Sequence, residues 1–263
     1  MKGRPKRSNS SSLQTKDPRI LFLDIETSPL LAWCWSYYRT NILAIEKQSV
    51  VLSFAYKWSD SKRVECKCLP HYLTEYELIK DLWSLFDEAD VIIAHNLDHF
   101  DAKQSNSRFI AYGLKPPSPY ATIDTLKIAK KYFRFPSNKL SELSQYLKIG
   151  QKPEHSGIQL WFDCLHSTSR YSDAWIMMRR YNRQDVVLLE KIYEKLRPWM
   201  HNHPNLSYFT RERTCPVCNS HELVRNGFKY LKSGVKQSIT CRSCGHHFTP
   251  SKTIKHDIYR YWE

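Results

Sequence analysis

The sequence predicts an α/β protein: a mixed β-sheet with helices on its faces, followed by a small cysteine-bearing module. Three observations predict it. Strand-like apolar runs come first and strand–helix alternation follows, the pattern of a sheet covered by helices. Two CxxC pairs stand close together near the C-terminal end. At 263 residues, the chain is long enough for one substantial core plus a small appendage.

The elements follow in order. Strands are expected at Ile20–Glu26, Val50–Trp58, Arg63–Leu69, Val91–Ala94 and, shorter, Ala121–Asp124. Helices are expected from Thr74 to Asp87, Asp101 to Tyr112, Thr125 to Phe133, Leu140 to Leu147 and Ser172 to Leu196. Thr74 followed three residues later by Glu77 is a capping-box pattern, which supports a helix start there. Pro116, Pro117 and Pro119 mark a loop. The expected domains are a disordered basic arm over 1–18, an α/β domain over 19–205 and a cysteine module with tail over 206–263.

The formal charge of +14 is concentrated at the ends. Residues 1–19 carry six Lys/Arg against one Asp, and residues 211–263 carry ten against four acids. The stretch between them holds 24 basic and 21 acidic residues. Basic ends on a near-neutral body point to a polyanion partner, most often nucleic acid. No run approaches the roughly 18–20 apolar residues of a membrane span. The basic, Ser-rich start is not followed by a signal-peptide-type apolar segment, so a cytoplasmic location and reduced cysteines are expected.

Five residues are the candidates for chemistry. In "LFLDIET", residues 21–27, strand alternation puts Asp24 and Glu26 on one face. Burying two like charges side by side is costly unless something positive lies between them. A hard divalent cation is one answer; a strand end open to water is the other. Asp101 follows the "VII" run, where a strand gives way to a helix. Tyr181 and Asp185 are four apart and share one helix face with Leu188, Leu189 and Ile192. Asp98 competes with Asp101 as a ligand, and Asp124 reads as fixing a loop or sheet edge. His95 and His99 read as structural; Phe22, Trp33 and Trp35 are either core aromatics or base-stacking ones.

Asp24-Ile25-Glu26, Asn96-x-x-x-Phe100-Asp101 and Tyr181-x-x-x-Asp185 resemble, in order and spacing, the three motifs of DEDDy-type 3′–5′ exonucleases. The "YNRQD" form is most similar to the proofreading domain of family-B DNA polymerases, over residues 19–200. Without a counterpart to the polymerase palm and fingers, the chain looks like a stand-alone exonuclease of the kind carried by some bacteriophages. The resemblance implies an RNase H-like fold and two Mg²⁺ or Mn²⁺ ions about 4 Å apart. It implies Asp24 bridging both, Glu26 and Asp185 completing one site, Asp101 holding the second, and Tyr181 orienting the attacking water. It further implies release of nucleoside 5′-monophosphates from DNA, in a bacterial or phage-infected cell, with replication or recombination proteins as partners. An exoribonuclease shares the same cluster. A non-catalytic nucleic-acid-binding protein is the reading of another class.

Cys215, Cys218, Cys241 and Cys244 have the spacing of a Cys₄ zinc site, with 22 residues between the pairs. One structural Zn²⁺ would supply folding energy that so short a module cannot draw from a core. The module resembles the zinc ribbons of transposase and transcription-related proteins. Gly245 suits the turn that a CxxC knuckle needs, and His246 and His247 are substitute ligands. Cys34, Cys66, Cys68 and Cys164 read as incidental thiols, with Cys66 and Cys68 on one strand face. Arg225, Lys229, Lys232 and Lys236, interleaved with Phe228 and Tyr230, suit phosphate contact with stacking. "KGRPKR" is similar to an AT-hook core, making Arg4, Lys6 and Arg7 nucleic-acid contacts.

Overall fold

The computed structural model describes residues 16–250 apart from 155, 168, 170, 171 and 233. Arg4, Lys6 and Arg7 lie outside the described residues. Contacts divide the chain into two units, residues 19–193 and a second that holds residues 16–18 and 194–250.

The first unit is built on β1 (Ile20–Thr27), whose alternation decides its surroundings. Leu21, Leu23 and Ile25 are buried on one face, while Phe22, Asp24 and Glu26 share the other. A hairpin of β2 (Leu31–Trp33) and β3 (Ala44–Lys47) separates β1 from β4 (Val51–Trp58). Then come β5 (Glu65–Cys68), α1 (Glu75–Glu88), β6 (Val91–Ala94), α2 (Asp101–Ala111) and β7 (Ala121–Asp124). Four helices follow: α3 (Thr125–Tyr132), α4 (Leu140–Tyr146), α5 (Gln159–His166) and α6 (Asp173–Leu196). The sheet order is β5-β4-β1-β6-β7. β4 and β5 run antiparallel and β6 and β7 parallel to β1, so the expected mixed sheet forms.

Each face of the sheet is covered. Leu78, Ile79, Leu82 and Phe86 of α1 pack with Leu21, Leu23, Ile25 and Phe109 in one core cluster. Each side chain of that size contributes about 1.5–3 kcal/mol by leaving water. The helix starts as its capping pattern dictates: Glu77 N–H donates to Thr74 Oγ1 (3.4 Å) and Leu73 N–H to Glu77 Oε2 (2.9 Å). On the opposite face, α6 sets Tyr193 edge-on to Phe22, and Lys57 pairs with Glu190 at 2.5 Å.

Two features escaped the sequence reading. The β2–β3 hairpin and α5 fall in stretches to which no element was assigned. Trp33 and Trp35 are exposed on that hairpin region rather than in the core, whereas Phe22 is buried.

In the second unit, α7 (Ser207–Thr210) precedes β8 (Leu223–Leu231), β9 (Gly234–Cys241) and β10 (His247–Phe248), which form an antiparallel sheet ordered β10-β9-β8. Its two CxxC turns repeat one geometry. Asn219 and Gly245 both have positive φ, 58° and 81°, and each donates its N–H to the first cysteine's carbonyl at 2.9 Å. Only Cys215, Val217 and Cys241 form a buried cluster there among the described residues. Among the described residues, no helix is long and apolar enough to cross a membrane.

Candidate active site

Parallel strands gather their C-terminal ends on one side of a sheet, and ligands bind there in α/β folds. β1, β6 and β7 do so here. Asp24 and Glu26 end β1, Asp101 opens α2 after β6, and Asp124 ends β7. The turn between β6 and α2 is sharp. Asn96 sits at φ 72°, a conformation that Asn tolerates, and its carbonyl accepts from Phe100 N–H at 2.9 Å. Asp124 holds this turn, accepting from Asn96 N–H (3.0 Å) and Asp98 N–H (3.3 Å) while capping α3. Its expected scaffolding role is therefore what the geometry displays.

An open cavity of about 630 Å³ lies above these strand ends. Asp24, Glu26, Asp101, Tyr181 and Asp185 all line it. Carboxylate oxygens of Asp24, Glu26 and Asp185 lie within 4.8 Å of one another. Asp101 stands outside that tight group but is buried, and its Oδ1 accepts from Ile25 N–H at 3.2 Å. Asp98 points elsewhere, into an ion pair with Lys127 at 2.7 Å. His95 donates from Nε2 to the Asn138 carbonyl (2.8 Å) and contacts Thr125 Oγ1 through Nδ1 (2.9 Å), as a structural histidine would.

Crowded, dry carboxylates resist ionisation. Burial, followed by the charge of Asp185, pushes Glu26 up to about 8. Burial and the same neighbour hold Asp24 well above the carboxylate range, and burial lifts Asp101 to about 7. The Tyr181 phenol rises to about 12 through burial and Asp185.

Two side chains that the sequence did not single out complete the site. Lys152 Nζ donates to Asp185 Oδ2 at 2.5 Å and to Tyr181 OH at 3.0 Å. Burial alone would lower its pKa, but Asp185 beside it raises it. The loop that carries it is stapled to α6: Gln184 donates to the Gln151 carbonyl (3.2 Å) and Lys191 to the Ile149 carbonyl (3.3 Å). Gly150 permits this approach, because a Cβ there would stand 2.9 Å from Leu188 Cδ2 at φ +150°. That glycine, two residues before Lys152, was the one available signal. Asn182, fully buried, donates from Nδ2 to Asp24 Oδ2 (2.6 Å) and to the Asp24 carbonyl (3.1 Å). Ser53 donates to its Oδ1 at 3.0 Å. Asn182 stands three residues before Asp185 and seven before Leu189, so helical spacing places it on the same inward face, a signal that the sequence reading did not use.

The donor set fits hard divalent cations. It offers carboxylate oxygens, and of the three lysines that line the cavity only Lys152 is ion-paired with one of its four acids among the described residues. In the second unit, Sγ atoms of Cys215, Cys218, Cys241 and Cys244 also lie within 4.8 Å of one another. Cys215–Cys244 and Cys218–Cys241 are 3.7 and 3.6 Å apart. A tetrahedron with Zn–S bonds of about 2.3 Å has edges of about 3.8 Å, so these thiols fit zinc. The Cys218 thiol is held down at about 4, chiefly by its hydrogen bond with Cys215. His246 and His247 stay outside, bonded to the Pro198 carbonyl and Thr240 Oγ1, both at 2.9 Å. Arg225, Lys229 and Lys232 are exposed on the ribbon, and Lys229 faces the half-buried Lys236 across the strand pair.

No curated protein matches the sequence. Among solved structures, the family B DNA polymerase from the hyperthermophilic archaeon Pyrobaculum calidifontis is similar, with a TM-score of 0.51 and 16% identity. The match covers 70% of this chain but only 25% of the polymerase, and at that identity the likeness is one of fold. The RNase_H superfamily matches residues 21–197, which span the sheet, its helices and every carboxylate of the cavity. The chain belongs to the RNase_H superfamily.

Proposed function

We propose that this nuclease is a metal-dependent 3′–5′ exonuclease of DEDDy type, releasing nucleoside 5′-monophosphates from DNA. The observation that carries the proposal is the convergence of Asp24, Glu26 and Asp185 oxygens within 4.8 Å, with Asp101 and Tyr181 in the same cavity wall. Asp24, Glu26, Asp101 and Asp185 would hold two Mg²⁺ or Mn²⁺. Those ions, when bound, activate a water and neutralise charge on the leaving 3′ oxygen.

The protein's own groups do the rest. Asn182 fixes Asp24 in one orientation, as the partners of metal ligands do. The Tyr181 hydroxyl remains protonated at neutral pH and can hold a water by hydrogen bonding, so it orients rather than deprotonates. Lys152 steadies Tyr181 and supplies the cavity's balancing charge. Lys130 and Lys139 line the same cavity, where cations suit the phosphates of an incoming strand. The Cys₄ module would bind one structural Zn²⁺, and Arg225, Lys229, Lys232 and Lys236 with Phe228 and Tyr230 would contact nucleic acid.

Expected domain limits remain 19–205 for the nuclease and 206–263 for the ribbon. DNA is favoured over RNA by the resemblance to polymerase proofreading domains, as is a phage-type setting beside replication or recombination proteins.

The test is an assay with Mg²⁺ on 5′-labelled single-stranded DNA and RNA of one sequence. A ladder shortening from the 3′ end, absent in Asp185→Ala and only slowed in Tyr181→Phe, is expected. Undiminished cleavage by Asp185→Ala would remove the assignment. Binding without cleavage of either strand would favour the non-catalytic reading.

A further inference from the structure

We infer that the β2–β3 hairpin is an aromatic arm that stacks on unpaired bases of the strand entering the cavity. The inference rests on the nuclease reading, and deepens it by naming how the substrate is gripped away from the reacting phosphate.

Placement comes first. The hairpin leaves β1 directly after Glu26-Thr27, from the end of the strand that carries the carboxylates. Its root is fixed. Ser28 N–H donates to the Val50 carbonyl (2.8 Å), Val50 N–H to Ser28 Oγ (3.0 Å), and Ser49 Oγ to the Ser28 carbonyl (2.6 Å). Arg108 of α2 also reaches the Ser49 carbonyl. Beyond that root, residues 31–48 are all exposed apart from the half-buried Ala32.

Composition follows. Trp33, Trp35, Tyr37 and Tyr38 are 63%, 76%, 97% and 98% exposed, four large rings within six residues. A two-stranded ribbon with both faces in water is marginal by itself, so its exposed rings call for an occupant. The charge pattern identifies one. From Thr27 to Ile45 there is no acidic residue, Arg39 sits at the tip and Lys47 at the base. The hairpin's one acid, Glu46, lies beside Lys47 at the base, so the ring-bearing tip carries Arg39 and no carboxylate. Rings beside a cation suit nucleic acid, where each base offers a π-face and each nucleotide a negative charge. Leu30, Leu31 and Ile45 flank the root and carry no such pattern. Stacking tolerates any base, which suits a nuclease that must pass along a strand without regard to sequence.

The test measures binding without hydrolysis. Full-length protein in Ca²⁺ is titrated against two 5′-labelled single strands of equal length, oligo-dT and its abasic counterpart, by fluorescence anisotropy. Trp35→Ala/Tyr37→Ala/Tyr38→Ala should bind oligo-dT more weakly by about 5- to 150-fold for each base whose stacking is lost. Affinity for the abasic strand should stay within about twofold. Tyr37→Phe/Tyr38→Phe, which keeps the rings, should bind oligo-dT as the parent does. Equal loss on both strands, or none on oligo-dT, overturns the inference. So does a parent dimer that the triple variant dissociates, since the rings would then cover a second copy. A parent that cleaves neither DNA nor RNA in Mg²⁺ but shows ring-dependent binding would retire the nuclease reading and leave the arm standing.

Discussion

Replacing Glu26 by Gln should make the metal-free protein more stable while abolishing its activity, and the gain should depend on pH. Burial and Asp185 lift the Glu26 carboxyl from its ordinary 4.5 to about 8. Between those values the folded chain binds more protons than the unfolded one, so stability falls as pH rises through that window. The full rise corresponds to about 5 kcal/mol at most, at pH above 8. Glu26 is only half-buried and its acidic neighbours titrate with it, so about 2 kcal/mol is the expected penalty. A glutamine keeps the shape and removes the charge. Thermal melts with chelator should place Glu26→Gln about 4–8 °C above the parent at pH 8, and level with it near pH 5. Comparing both proteins under one chelated condition cancels any loss of metal from the cysteine module. With Mg²⁺ present the order should reverse, because the ion stabilises only a charged carboxylate cluster. An equal melting temperature at pH 8, or a gain undiminished at pH 5, would refute the view that uncompensated charge strains this cavity.

Two further outcomes are expected. Lys152→Met should destabilise the metal-free protein by about 2 kcal/mol at neutral pH, less than the roughly 3–5 kcal/mol for breaking a fully buried pair, because the Lys152 side chain keeps part of its surface in water. If its ammonium competes with a cation for Asp185, Mn²⁺ affinity by calorimetry should rise in that variant; a weaker affinity would mean that the lysine supports the loaded state. Cys218→Ser should lower the zinc content from one ion per chain to none by elemental analysis, and leave the melting transition of residues 19–193 in place. Retention of stoichiometric zinc would show that a histidine substitutes.

What could be read from sequence depended on how locally each feature is encoded. β1, β6 and β7 were legible because each is a short apolar run ending at a polar residue. Asp24, Glu26, Tyr181 and Asp185 were legible because alternation and helical spacing put their faces in the sequence itself. The capping of α1 by Thr74 is equally local. Lys152 was not legible. Its partner Asp185 lies 33 positions away, and only the packing of the Gly150 loop against α6 brings them together. For Asn182, helical spacing gives the face, but its partners on β1 and β4 are 158 and 129 positions distant. The aromatic hairpin failed for another reason. Rings in a strand-like setting read as core, and the stretch is exposed only because β1 and β4 pair without it.

The two candidate metal-ligand clusters arise from opposite physical situations. The carboxylates are costly additions to a core that stands on its own, with Leu21, Leu23, Ile25 and α1 packed behind them. Removing charge there should therefore leave a better-folded, inactive protein. The cysteines replace a core: their module buries only Cys215, Val217 and Cys241 as a cluster, too little apolar surface to order its backbone. Removing a ligand there should cost the fold of the module itself. Chelation should thus strike the two units differently, silencing one and unfolding the other. If the proposed function holds, chelation should remove the chemistry through the first unit and the hold on nucleic acid through the second.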